Sequence, residues 1–148
     1  MKEQILAVQR MQDYIEKNNA EEINLSDLAR ASLFSPWYSY RLFHDSLGLA
    51  PTEYIRKFRL TQAAKQLKSG NVKVIDAAFD AVFANVDTFT RAFYREFGLN
   101  PSDYKKNPVP VTFFIPYGAK YRELKKEDID VSAQVRKKRT IEKKSLLC

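Results

Sequence analysis

The chain has 148 residues, 45% of them hydrophobic and 13% aromatic, enough for a core in one or two small domains and too apolar for global disorder. It holds no run of eighteen apolar residues, no basic stretch leading into an apolar one at the N-terminus, and one cysteine, Cys148. No membrane-spanning helix, secretory signal, internal disulfide or cysteine zinc cluster is therefore expected, and a reducing cytoplasm fits best. The net charge of +7 is uneven: residues 1–106 carry 15 Lys+Arg against 13 Asp+Glu, and residues 107–148 carry 10 against 5. The basic character is largely a property of the tail.

The first predicted element is a helix over residues 4–18, with Ile5, Val8, Met11, Tyr14 and Ile15 on one stripe. Asn24 is placed to cap a short second helix, with Asp27 favouring its positive start and Leu28, Ala29 and Ser32 along it. After a turn, Ser35 caps a third helix that opens on Pro36 and stops at Gly48. Pro51 starts a longer helix that reaches Ser69, with Tyr54, Ile55, Phe58, Ala63, Ala64 and Leu67 as its apolar positions, closed by Gly70. The plan then repeats. A helix covers about 74–81, a turn passes 83–85, a helix runs from Val86 to Phe97, Gly98 ends it, and Pro101 opens a final short helix. Residues 109–118 (VPVTFFIPYG) are β-branched, aromatic and proline-bearing, which suits either an extended arm packed on the helices or an edge strand. Residues 120–148 are strongly charged, and much of this tail is expected to be disordered.

The repetition is explicit in the wording. SLGLAPTEY (46–54) returns as EFGLNPSDY (96–104), with Arg41 and Phe43 upstream of the first and Arg91 and Phe93 upstream of the second. Ala29, Leu33 and Phe34 match Ala78, Val82 and Phe83 at an offset of 49, while Arg41, Gly48, Pro51 and Tyr54 match Arg91, Gly98, Pro101 and Tyr104 at 50. One residue has thus been added in the turn of the second copy, where insertion is tolerated. Two copies make a paired device rather than a solenoid. Each copy is a short helix, a turn and a second helix, the helix-turn-helix plan. The expected fold is all-α: two such subdomains (about 25–47 and 74–97) joined by a linker helix over 51–69, then an extended basic tail.

In such a module the second helix enters the DNA major groove and its outward residues meet base edges. In the first copy Ser39, Leu42, Phe43 and Leu47 take the inward stripe, so Trp37, Tyr40, Arg41 and His44 face out, with the capping Ser35 before them and Tyr38 at the boundary. In the second, Phe89, Ala92, Phe93 and Phe97 are inward, so Val86, Asp87, Thr90, Arg91 and Arg95 face out, flanked by Asn85 and Thr88. Arg41 and Arg91 lead this set, because a guanidinium matches the O6 and N7 acceptors of guanine bidentately. An arginine paired to a neighbouring acid is the bland alternative, and its occurrence at equivalent positions of both copies weighs against that. Trp37 can meet a thymine methyl or instead pack inward as core. Asp87 either accepts from cytosine N4 or caps the second recognition helix. His44 suits a surface or phosphate position better than a catalytic one. The run Arg136–Arg139 (RKKR) reads as solvated tail or as a nucleic-acid contact. No glycine-rich phosphate loop, metal-ligand spacing or activated nucleophile is present in the pattern, so neither a cofactor nor an enzymatic activity is expected. A helical adaptor that docks protein partners is the alternative function.

These residues resemble the DNA-binding region of the AraC/XylS family of bacterial transcription regulators. FSPWYSYRLF (34–43) is similar to the first recognition segment of its stand-alone stress activators, and FTRAFYREFGLNPSDY (89–104) to the family signature in the second. The resemblance covers about residues 4–106. It implies two helix-turn-helix modules whose linker, about 18 residues at a rise of roughly 1.5 Å, spans close to 27 Å. Two helices can then reach major-groove segments about one turn, roughly 34 Å, apart, so that a monomer reads an asymmetric site and acts on RNA polymerase. By the resemblance, Trp37, Tyr40 and Arg41 contact DNA in the first module, and Val86, Asp87, Thr90 and Arg91 in the second. The chain departs from the family where the usual turn glycine is replaced by Leu33 and Val82, which must avoid a left-handed conformation or be strained in it. Ser39 also fills an inward position that usually holds a larger apolar residue. No N-terminal sensory domain is expected. The stretch 128–148 is too short for the gyrase-inhibitor-like ligand domain that follows in some relatives, and corresponds at most to a truncated beginning of one.

Overall fold

The computed structural model describes residues 2–121. Seven helices follow one another: α1 (Lys2–Asn18), α2 (Leu25–Ser32), α3 (Pro36–Leu47), α4 (Pro51–Lys68), α5 (Val74–Asp80), α6 (Val86–Phe97) and α7 (Pro101–Lys106). Each helix boundary lies within two residues of its expected place, because caps and stops are written locally in the chain. Asn24 and Asp27 form a reciprocal capping box on α2, Asn24 Oδ1 accepting from the Asp27 amide at 2.9 Å and Asp27 Oδ2 from the Asn24 amide at 3.0 Å. Gly48 and Gly98 end α3 and α6 at φ +78° and +85°, a left-handed conformation that costs glycine nothing.

The helices enclose two cores, and α4 belongs to both. Val8, Met11 and Ile15 of α1 bury against Leu28, Phe43, Tyr54 and Ile55. Farther along α4, Leu60, Ala63, Ala64 and Leu67 bury against Ala77, Ala78, Phe89, Phe93 and Tyr104. The switch between Ile55 and Leu60 explains why α4 shows no single apolar stripe: it presents one face to the first module and another to the second. Its sides are also tied down. Arg59 donates to the carbonyls of Asn19 and Glu21 at 2.9 and 2.5 Å, and Lys57 Nζ lies 3.1 Å from Glu96 on α6. Burial pushes the pKa of Arg59 below its ordinary value, and Glu22 pulls it back upward.

After α7 the chain runs without regular structure over 108–118, enters no strand among the described residues, returns across α4 to α1 and turns helical at 119–121. Between the two readings of residues 109–118, the packed arm is the one observed. Proline at 108, 110 and 116 removes the amides that a strand ladder would need. Residues 120 and 121, the start of the stretch expected to be disordered, are helical, and the rest of that stretch, the RKKR run and the comparison with a truncated ligand domain lie outside the described residues. No helix of the described residues is long and apolar enough to cross a membrane.

Candidate nucleic-acid interface

The first recognition helix is held from below and bare above. Ser35 Oγ accepts from the Tyr38 amide at 3.3 Å and caps α3, and Phe43 and Ser39 are fully buried beneath it. On the outer face Trp37 is 67% exposed, which settles its orientation as outward rather than core. Its indole lies parallel to the ring of Tyr40 (centroids 6.0 Å apart, 5° between planes), and Tyr40 lies parallel to His44 (6.3 Å, 8°). The spacings of three and four residues set the rings in a row along one side of the helix. Arg41 stands beside this row and is exposed. Tyr38 is half-buried, its ring edge-on to Phe34 and its hydroxyl accepting from Gln4 at 3.4 Å, so only part of it faces out.

Ser39 keeps its inward place by pairing with Ser32: the two hydroxyls are 2.6 Å apart and both residues are buried. Ser32 also donates to the Ala29 carbonyl and accepts from the Phe34 amide, both at 3.0 Å. Arg10 of α1 donates to the carbonyls of Ala31 and Ser32 at 3.0 and 2.7 Å, closing the end of α2. A buried hydroxyl without such partners would cost about 1–3 kcal/mol. The small pair therefore works as a hydrogen-bonded plug under the turn.

In the second recognition helix the cap is Asn85, not Asp87. Asn85 Oδ1 accepts from the Thr88 amide at 2.8 Å and from the Thr88 hydroxyl at 3.0 Å. Asp87 sits within the first turn, where its charge favours the positive helix end without a capping bond. The correction has a geometric cause: a side chain caps from the position before the first helical residue, and Val86 is that first residue. Asp87, Thr88, Arg91 and Arg95 are exposed, while Val86 and Thr90 are half-buried. Among the described residues neither Arg41 nor Arg91 is in an ion pair. Tyr94, 56% exposed at the position equivalent to His44, joins the outward face. It lies outside the outward set drawn from the sequence, although the offset of 50 from His44 marks it.

Both turns take the strained option. Leu33 has φ +72° and Val82 has φ +64°. Leu33 donates its amide to Ala29 at 2.9 Å in a simple left-handed cap. In the second turn the amide of Val82 reaches the Phe79 carbonyl at 2.9 Å and that of Phe83 reaches Ala78 at 3.0 Å, a wider closure than in the first turn, and the extra residue follows it, between Phe83 and Val86. A β-branched valine at positive φ is the more strained of the two.

Comparison with known proteins agrees with this geometry. A family model described as a helix-turn-helix domain matches residues 28–107. The regulatory protein SoxS of Salmonella typhimurium is 35% identical over 102 residues, which cover 66% of this chain and 92% of SoxS. The crystal structure of a probable AraC family transcriptional regulator from Rhodopseudomonas palustris superposes with a TM-score of 0.64 at 28% identity, over 71% of this chain and 99% of that one. The DNA-binding domain of AdpA, solved in complex with a target DNA, shares the fold with a TM-score of 0.63 at 20% identity, over 70% of this chain and 97% of that one. With its paired modules, its linker helix and its matched signature, the chain belongs to the AraC/XylS family of transcription regulators.

Proposed function

We propose that this transcription regulator binds duplex DNA as a monomer, with α3 and α6 in two successive major-groove segments of an asymmetric site. The observation that carries this reading is the pair of exposed arginines, Arg41 and Arg91, free of ion pairs among the described residues and placed equivalently on two helices that hang from one linker. Residues 4–106 form the DNA-binding unit. Arg41 and Arg91 read guanine edges, and Trp37 and Tyr40 meet apolar groups such as a thymine methyl. Ser35, Tyr38, His44, Asn85, Val86, Thr88, Thr90 and Arg95 complete the contact surface. Asp87 tunes it by accepting from cytosine or by repelling a misplaced phosphate. The protein acts in the cytoplasm.

The output of binding is recruitment or obstruction of RNA polymerase. The outer face of α5 supports a protein contact: Ile75 is 46% and Phe79 52% exposed, where the equivalent positions of α2 hold Ser26 and Arg30. The fold does not need apolar groups there.

Selection of bound duplexes from a random pool tests the reading directly. Two unlike half-sites whose centres lie about 10 base pairs apart are expected. Raising salt should lower affinity steeply, with a slope in log–log terms of roughly −0.9 per phosphate contacted. A helical adaptor would show neither behaviour, and a palindromic site would overturn the monomeric reading.

A further inference from the structure

The arm after α7 grips both modules. Phe113 packs on the second core, edge-on to Phe97 at 6.4 Å, with Lys65 Nζ 5.9 Å above its ring. Its neighbour Phe114 packs on the first core, edge-on to Tyr54 at 5.1 Å. Adjacent residues thus point into different cores, as an extended backbone alternates its side chains. Between them the Phe114 amide donates to Thr61 Oγ1 of α4 at 2.8 Å. Farther on, Gln12 of α1 is buried and acts as a hub: its Oε1 accepts from the Ala119 amide at 2.7 Å, and its Nε2 donates to the Tyr117 carbonyl at 2.9 Å and to the Tyr54 hydroxyl at 3.1 Å. Gly118 passes α1 so closely that a Cβ there would lie 2.6 Å from Gln9 Oε1.

We infer that this arm is a brace that fixes the angle between the two recognition helices, and with it the half-site spacing the protein accepts. The inference rests on the proposal that both helices read DNA. A single helix joining two cores is a rod that bends and twists about its middle, here the stretch between Ile55 and Leu60. A second connection anchored on both sides of that stretch removes the freedom. The contact is made at points, because a groove of about 470 Å³ stays open between α1, α4 and the arm. Small changes should therefore release it without dissolving either core. Phe114, Thr61 and Gln12 are positioning residues, remote from the recognition faces.

The test measures affinity of the full chain, and of its Phe114→Ala and Thr61→Val variants, for the selected duplex and for versions with one base pair added or removed between half-sites. Each added pair shifts the second site by about 3.4 Å and rotates it by about 35°. The braced wild type should lose about tenfold or more on a misspaced duplex, since it must deform itself or the DNA. Both variants should show a clearly smaller spacing penalty, with near wild-type affinity on the best duplex. Thr61→Val guards against a folding artefact, because it keeps the side-chain volume and removes only the Oγ1 that accepts from the Phe114 amide. Superimposable spacing profiles, or an equal loss at every spacing, would overturn the brace. Scrambling either half-site separates the premises: a wild type indifferent to one of them refutes reading by two helices, whereas dependence on both with an unchanged profile refutes the brace alone.

Discussion

The two modules share their punctuation and differ in what fills them. Gly48 and Gly98, Pro51 and Pro101, Tyr54 and Tyr104 occupy matching places, and the latter two tyrosines bury their rings in their respective cores. At the position under the recognition helix, however, the first module has Ser39 hydrogen-bonded to Ser32, and the second has Phe89 packed edge-on to Phe83 at 5.4 Å. The outward faces diverge likewise, an aromatic row of Trp37, Tyr40 and His44 in one and a mixed set with Asp87 and Thr90 in place of the first two rings in the other. A helix-turn-helix backbone is thus kept by its stops and restarts, while its interior can be filled by a polar pair or by rings. Satisfaction of polar groups and full packing are alternative ways to close the same space.

The largest break in this comparison comes from emptying the second core. Phe89→Ala should cost about 3–5 kcal/mol, whereas Ser39→Ala in the first should cost about 0.5–1.5 kcal/mol, because Ser32 keeps its bonds to the Ala29 carbonyl and the Phe34 amide and no buried group is left unpaired. Denaturant titration of the two variants measures both, and equal losses would mean that the modules are filled equivalently after all.

Next in size are the recognition arginines. Arg41→Ala and Arg91→Ala should each weaken binding to the selected duplex by about 1–3 kcal/mol and relax the preference at one base pair, in opposite half-sites. Repeating the selection with each variant checks this. A uniform loss across sequences would demote the arginine concerned to a phosphate contact.

The smallest effect sharpens the turns. Replacing Val82 or Leu33 by Gly relieves about 1–2 kcal/mol of left-handed strain and adds roughly 0.5–1 kcal/mol of chain entropy to the cost of folding. Both variants should gain stability, by well under about 1 kcal/mol for Leu33→Gly and more for the β-branched Val82. Thermal unfolding reads the difference, and a loss at Val82 would show that its side chain is needed for packing.

Much of this architecture was legible because its signals are local. Helix starts at Asn24 and Ser35, stops at Gly48 and Gly98, and the register between copies depend on residues within a turn of one another, so periodicity and repetition expose them. The outward face of each recognition helix follows from the same arithmetic, which is why Trp37, Arg41 and Arg91 could be named in advance. Of the two readings of Asp87 the cap is the one excluded, because an acid two positions past Asn85 resembles a capping residue until the first helical residue is known. Tyr94 is absent from the outward set drawn from the sequence, although its offset of 50 from His44 points to it.

What tertiary structure alone decided are the relations between distant segments. No spacing rule couples Gln12 to Tyr117 and Ala119, Thr61 to Phe114, or Arg10 to the end of α2, since each of these bonds crosses from one element to another. Nor could the chain show whether Leu33 and Val82 escape or accept positive φ. That choice depends on packing at both ends of the turn, which over-determines the backbone and holds the strain in place. Two matched platforms were written in the residues. The brace that sets one platform against the other exists only once the chain has folded back upon itself.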